Sequence, residues 1–202
     1  MKHLAIGVAV MMSILSTDKT LHQPPVVITP EPVKEPVNEP DRRKQNLARY
    51  IMEFDEANTD ALEVAAVIVD VADEYGLDSL LVAAIICSES SFKISSKNDS
   101  SNCIGLMQVR TRVWTKDLIR EKIIKSEKDL EAAHNNVRAG CYILSKCINS
   151  TDNIYQALLL YNGEISDRCL PYLAKVANNY TQIANRPLRW TVYRKDLHGI
   201  KN

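Results

Sequence analysis

One carboxyl in this sequence sits in an unusual setting. The run Leu80-Leu-Val-Ala-Ala-Ile-Ile-Cys-Ser-Glu89 is apolar on every helical face until its last two residues. A helix of that kind is buried. Glu89 therefore arrives at the edge of an apolar core, where lost solvation favours the neutral carboxyl and raises its pKa. A carboxyl protonated near neutral pH is what general acid catalysis requires. The plain alternative is a glutamate that emerges into solvent where its helix ends. Three further clusters follow: Gly105-Leu-Met-Gln108, Asn136-Val-Arg-Ala-Gly140-Cys-Tyr-Ile-Leu144 and Tyr161-Asn162-Gly163.

With Glu89-Ser90-Ser91-Phe92 at their head, these clusters resemble the soluble lytic transglycosylase (SLT) domain, a relative of goose-type lysozyme. That family's pattern runs E-S-x-F, G-L-M-Q, N-x-x-x-G-x-x-Y-L and A-Y-N-x-G. The resemblance covers about residues 60–184. It implies an all-α, lysozyme-like fold with a substrate groove, and roles at the matching positions. Glu89 aligns with the catalytic acid, and Ser90 would hold the local turn. Met107 and Gln108 align with groove residues that contact glycan. Tyr161 aligns with a tyrosine that hydrogen-bonds the catalytic carboxyl or nearby sugar, supported by Asn162. Asn136 is expected as a local cap, and Gly140 as a point where helices approach closely. The family's loop serine has no single counterpart: Asn98, Asp99, Ser100 and Ser101 all fall near its place, and Ser100 and Ser101 are both open as substrate contacts. Leu160 replaces the usual small residue before the tyrosine, and Glu164 follows Gly163 where the family continues differently.

The elements that must position these residues read as helices almost throughout. Asp60-Ala-Leu-Glu63 has the form of a capping box ahead of apolar positions at Val64, Val67, Ile68 and Val71. Gly76 suits the end of that helix, and Asp78 suits the cap of the next, Ser79 to about Ser90. Residues 93–104 are polar and rich in Ser and Asn, which predicts a loop. Later helical segments cover about 107–120, 127–149, 152–162 and 168–184, and no sustained strand alternation appears.

Composition bounds the rest. The chain has 202 residues, of which 46% are hydrophobic, enough for one sizeable core. Its 25 basic and 25 acidic residues cancel, so overall charge does not point to nucleic acid. Residues 1–17 read as a signal peptide or signal anchor: Lys2 and His3 precede an apolar run from Leu4 to Leu15, too short to span a bilayer. Residues 18–40 are a Pro-rich spacer in which PEPVKEPVNEP repeats a four-residue unit. In polyproline II form the proline-bearing stretch 24–40 would reach roughly 50 Å. The catalytic domain is expected at 41–184. Residues 185–202 form a basic tail with Arg186, Arg189, Arg194, Lys195 and Lys201 against Asp196, either solvated or in contact with an anionic polymer such as cell wall. The five cysteines include no C-x-x-C pair, so no zinc site is expected. Export makes disulfides possible, but Cys141 and Cys147 should lie on different helix faces and not pair with each other; the odd count leaves at least one free thiol, with Cys87 the candidate.

The resemblance implies a reaction without metal or cofactor: cleavage of the bond between N-acetylmuramic acid and N-acetylglucosamine in peptidoglycan, with a 1,6-anhydro product. The nearest rival is a same-fold hydrolase using Asp99 or Glu164 as a second carboxylate. A rival from another class is a non-catalytic peptidoglycan-binding or scaffold module. Peptidoglycan strands are the expected partner, with cell-envelope machinery and an N-terminal membrane anchor as further possibilities. The export reading predicts that cell fractionation recovers the full chain from the periplasm or the periplasmic side of the inner membrane. Recovery from the cytoplasm with residues 1–17 intact would defeat it.

Overall fold

In the computed structural model, residues 39–54, 60–163 and 165–185 are described. The expected signal segment, nearly all of the Pro-rich spacer, Glu164 and the basic tail beyond Asn185 lie outside them. Chain order runs α1 (Glu39–Phe54), α2 (Ala61–Glu74), α3 (Ser79–Ser90), three two-residue strands, α4 (Thr111–Arg120), α5 (Ala133–Asn149), α6 (Ile154–Asn162) and α7 (Leu170–Ala184). Short 3-10 turns at Glu127–Glu131 and Asp167–Cys169 precede α5 and α7. The all-α expectation holds, with one small addition. The polar loop after α3 folds into an antiparallel sheet of β1 (Lys97–Asn98), β2 (Cys103–Ile104) and β3 (Val109–Arg110), in the order β1-β2-β3. Asn98 pairs with Cys103, and Cys103 with Arg110. Strands this short give no alternation to read in the sequence.

α3 lies at the centre. Val82, Ala83, Ala84, Ile85 and Ile86 are each 0% exposed, as an all-round apolar helix requires. Asp78 caps it by accepting from the Leu80 N–H at 2.8 Å. α1 packs on α2, and α7 packs on α3. Two apolar clusters share α5. One joins α1, α2 and α3 with Phe92, Leu106 and Met107, and takes Val137, Cys141 and Leu144 from α5. The other gathers Val109, Leu118, Ile124 and Leu130, with Ala139, Ile143 and Cys147 from the opposite face of α5. Cys141 and Cys147 thus face different clusters, and all five cysteines are free and buried.

Several boundaries differ from expectation. α1 begins at Glu39, two residues ahead of Asp41, with Pro40 in the first turn where its missing N–H is harmless. Asp60 stands at the N-cap of α2 but makes no side-chain cap bond. Its backbone, at φ −99° and ψ 9°, is not in the extended region from which a cap side chain reaches the first turn. The segment expected as 107–120 becomes helical only at Thr111, because Gly105 and Gln108 both take positive φ. The segment expected as 127–149 breaks at Ala132, after a capping box between Ser126 and Asp129 closes the 3-10 turn.

α3 ends abruptly. Ser91 and Phe92 both adopt left-handed backbone, at φ 53° and 61°. For a bulky residue such as Phe92 this conformation is strained. Packing holds it there: Phe92 is 1% exposed and meets the rings of Tyr50 and Phe54 edge-on, at 6.0 and 5.9 Å between centroids. Truncating Phe92 to Ala should therefore lower unfolding free energy by about 3–5 kcal/mol, measured by denaturant titration of the full chain. A loss under 1 kcal/mol would mean that this ring does not anchor the turn.

Candidate active site

The abrupt end of α3 delivers Glu89 to a groove of about 570 Å³. Its walls come from five places: Asn98, Ser101 and Cys103 of the sheet region, Gln108 to Arg110, Val113 and Trp114 of α4, one face of α5, and Leu160 to Gly163 at the end of α6. A second cavity, about 630 Å³, lies among α1, the start of α3 and the end of α7, and holds none of the motif residues. Glu89 is the one carboxylate among the described residues that line the groove.

Burial dominates the chemistry of Glu89. Desolvation raises its pKa from the ordinary 4.5 to about 6, opposed in order by Tyr172, Lys175 and Arg110. The first two come from one face of α7. Tyr172, Lys175 and Asn179 fall at i, i+3 and i+7, and all three meet the end of α3. The Lys175 ammonium donates to the Ser88 carbonyl at 2.5 Å, and the Asn179 amide donates to the Ser88 hydroxyl at 2.9 Å. The Tyr172 hydroxyl is buried beside the Glu89 carboxyl and interacts with it electrostatically. Its geometry falls short of a closed hydrogen bond, and it has no other hydrogen-bond partner among the described residues. Burial and the nearby carboxyl both hold the Tyr172 phenol protonated.

The segment opposite Glu89 hangs on Asn136, which is 1% exposed. Its Oδ1 accepts from the Met107 N–H at 2.9 Å, while its Nδ2 donates to the carbonyls of Ile104 and Leu130, each at 2.9 Å. Asn136 is structural, as expected, but it reaches further than a local cap. It is a three-way tie between α5, the 3-10 turn and the Gly105–Gln108 turn. That turn has no room for a side chain at Gly105: a Cβ there would meet Asn136 Nδ2 at 2.1 Å. Gly140 also differs from expectation. The close approach is made not by a helix but by Met107, whose sulfur would lie 2.2 Å from a Cβ at Gly140.

The remaining motif residues divide. Ser101, Gln108, Tyr161 and Asn162 line the groove, whereas Ser100 and Met107 do not. Ser100 faces outward and donates to Asn98 Oδ1 at 2.7 Å. Met107 is 0% exposed, so its side chain is a packing element and not a glycan contact. Gln108 spends its amide donors on the Ser96 and Gly105 carbonyls, at 3.2 and 2.9 Å, which fixes the loop against the turn. Tyr161 donates to the Met107 carbonyl at 2.9 Å instead of to Glu89. The tyrosine that faces the carboxyl is Tyr172. The Ser90 hydroxyl returns to the Ile86 carbonyl at 3.2 Å within the last turn of α3. Of the suggested second carboxylates, Asp99 is exposed and absent from the lining. Glu164 lies outside the described residues.

Tyr172, Lys175, Arg110, Trp114 and Lys146 were not legible as site residues. Each reaches the site through tertiary packing, and nothing in its local sequence marks it.

A helical domain with a carboxyl delivered by a buried central helix to the wall of a groove, beside a small sheet, belongs to the lysozyme-like class. The family model described as transglycosylase SLT domain matches residues 67–168. That span is half of the chain, and the chain belongs to this family. No match was found among curated proteins. The matched span includes Glu89, the Gly105–Gln108 turn, Asn136 and Tyr161, and ends before Tyr172.

Burial of Glu89 has a thermodynamic signature separate from any reaction. The folded state binds the Glu89 proton more tightly than the unfolded chain, so this group's contribution to stability falls as pH rises from 4.5 to about 6 and is level above. Glu89→Gln removes that dependence. The variant should exceed the wild type in unfolding free energy by roughly 1–2 kcal/mol above pH 6, with the difference closing towards pH 4.5. A pH-independent difference across that window would show the carboxyl to be solvated.

Proposed function

We propose that this protein is a lytic transglycosylase that cleaves the β-1,4 bond between N-acetylmuramic acid and N-acetylglucosamine in peptidoglycan. Membership of the SLT family implies activity of this type on peptidoglycan at the family level. The observation that carries the finer reading is Glu89: one carboxylate among the described groove residues, desolvated to a pKa of about 6.

In this mechanism Glu89 starts protonated and gives its proton to the glycosidic oxygen as the C1–O bond breaks. The substrate's 2-acetamido group stabilises the positive charge that develops at C1. Ionised Glu89 then takes the proton from the muramic C6 hydroxyl as that oxygen bonds to C1. The product carries a 1,6-anhydro ring, water is not consumed, and the carboxyl ends protonated as it began. Ser101, Gln108, Tyr161 and Asn162 are assigned to sugar contacts because they line the groove, with Tyr161 also holding the Met107 carbonyl. Hydrolysis is less well supported, since it asks for a second carboxylate or a positioned water and Asp99 does not line the groove. On this reading the protein works in the cell envelope, the compartment that the export reading of residues 1–17 also proposes.

Purified sacculi treated with the full chain and analysed by mass spectrometry should release fragments with anhydromuramic ends and no added water. Glu89→Gln should lower turnover at least about 100-fold, the usual contribution of a general acid, because its amide cannot donate and accept the proton. At low substrate the wild-type rate should fall on the alkaline side with an apparent pKa near 6. Fragments heavier by one water would make the protein a hydrolase. Binding without turnover would make it a glycan-binding module.

A further inference from the structure

Two cations line the groove with Glu89: Arg110 and Lys146. Lys146 has partners. Its ammonium lies 3.7 Å from Asp117 and stands over the rings of Tyr142 and Trp114, at 5.4 and 6.0 Å. Arg110 differs. Its backbone is fixed in β3 opposite Cys103. Its side chain is exposed, with no hydrogen bond or ion pair to another described residue. The guanidinium crosses to the end of α6, where its nitrogens lie 3.5 Å from where a Cβ of Gly163 would stand. It is also close enough to Glu89 to favour the ionised carboxylate.

That placement works against an acid. A cation near Glu89 makes its proton easier to lose, and within the described protein no structural bond offsets the effect. Arginine presents a planar fork of donors that matches a carboxylate in two parallel hydrogen bonds. A glycan of neutral sugars offers no such partner, but muramic acid does. Its lactyl group ends in a carboxylate when the strand is free of peptide. When a stem peptide is attached, that peptide carries carboxylates instead. We propose that Arg110 anchors a carboxylate borne by the muramic acid side chain, so that the groove selects glycan carrying an anion next to the scissile bond. This rests on the functional reading above and narrows it to a substrate class.

Binding to the full chain carrying Glu89→Gln tests the anchor without turnover. Three glycans of equal length serve as probes: one with free lactyl carboxylates, one with stem peptides whose carboxylates are free, and one with every carboxylate amidated. A charged probe should bind about tenfold tighter than the amidated one, the size of one charge-assisted pair. Whichever charged probe gains the preference identifies the source of the anion. Adding Arg110→Ala should erase the preference while leaving affinity for the amidated glycan within about twofold, and Arg110→Lys should restore part of it. Equal affinity for charged and amidated glycans, or a preference that survives Arg110→Ala, would overturn the anchor. Absence of cleavage by the wild type would overturn the functional reading alone, because these affinities do not depend on turnover.

Discussion

Holding an ionisable carboxyl at the edge of an apolar core is unfavourable, and the domain is organised around keeping Glu89 there. α3 is packed on all sides, so it cannot rotate the carboxyl out to water without exposing Val82, Ile85 or Ile86. Its last turn is clamped from outside by Lys175 and Asn179 on the Ser88 carbonyl and hydroxyl. Its exit is set by two consecutive left-handed residues, and the second, Phe92, is locked by aromatic packing against α1. The strain at that turn and the desolvation of Glu89 are both supported by burial elsewhere, as expected where a site needs a local geometry that the chain would not choose alone.

The opposite wall depends on the first through Asn136. One buried amide satisfies three backbone groups from segments far apart in sequence. Losing it would leave the Met107 N–H and two carbonyls without these bonds, and an unmet buried polar group costs about 1–3 kcal/mol. Met107 then relays position: its side chain fills the space over Gly140, and its carbonyl receives the Tyr161 hydroxyl. The end of α6 is thus registered against the turn that carries Gln108. Motif residues that resemble a list of substrate contacts are, in good part, the joints of the groove.

This explains what the sequence made legible. The burial of α3, its Asp78 cap and its end near Ser90 follow from composition and local capping rules, which act within a few residues. Glu89 and the Gly105–Gln108 turn were visible because their residue types are constrained by backbone shape or by charge at an apolar edge. The break at Ala132 and the late start of α4 were not. Both come from hydrogen bonds to residues distant in the chain, and periodicity sees only the local pattern. Tyr161 and Tyr172 make the same point in the site. Each is a tyrosine on a half-apolar helix, and only packing decides that the first serves the Met107 carbonyl and the second faces Glu89.

One carboxyl that must act first as acid and then as base sets a narrow electrostatic condition. Burial alone drives its pKa upward, which strengthens the base of the second step but makes a poor donor in the first, because a carboxyl that holds its proton too firmly gives it up reluctantly. Cations alone drive it downward and leave too little acid for the first step. Glu89 is subject to both, with desolvation the larger effect and Lys175 and Arg110 among those opposing it, and the outcome is about 6. The two cations are not equivalent. Lys175 is tied to the Ser88 carbonyl and acts as a constant. Arg110 reaches into the groove from β3 with its donors free of described partners. On the proposed reading, a substrate anion that engages Arg110 removes part of its pull on Glu89. A larger share of the carboxyl is then protonated once the glycan is in place, which is when the first transfer must start.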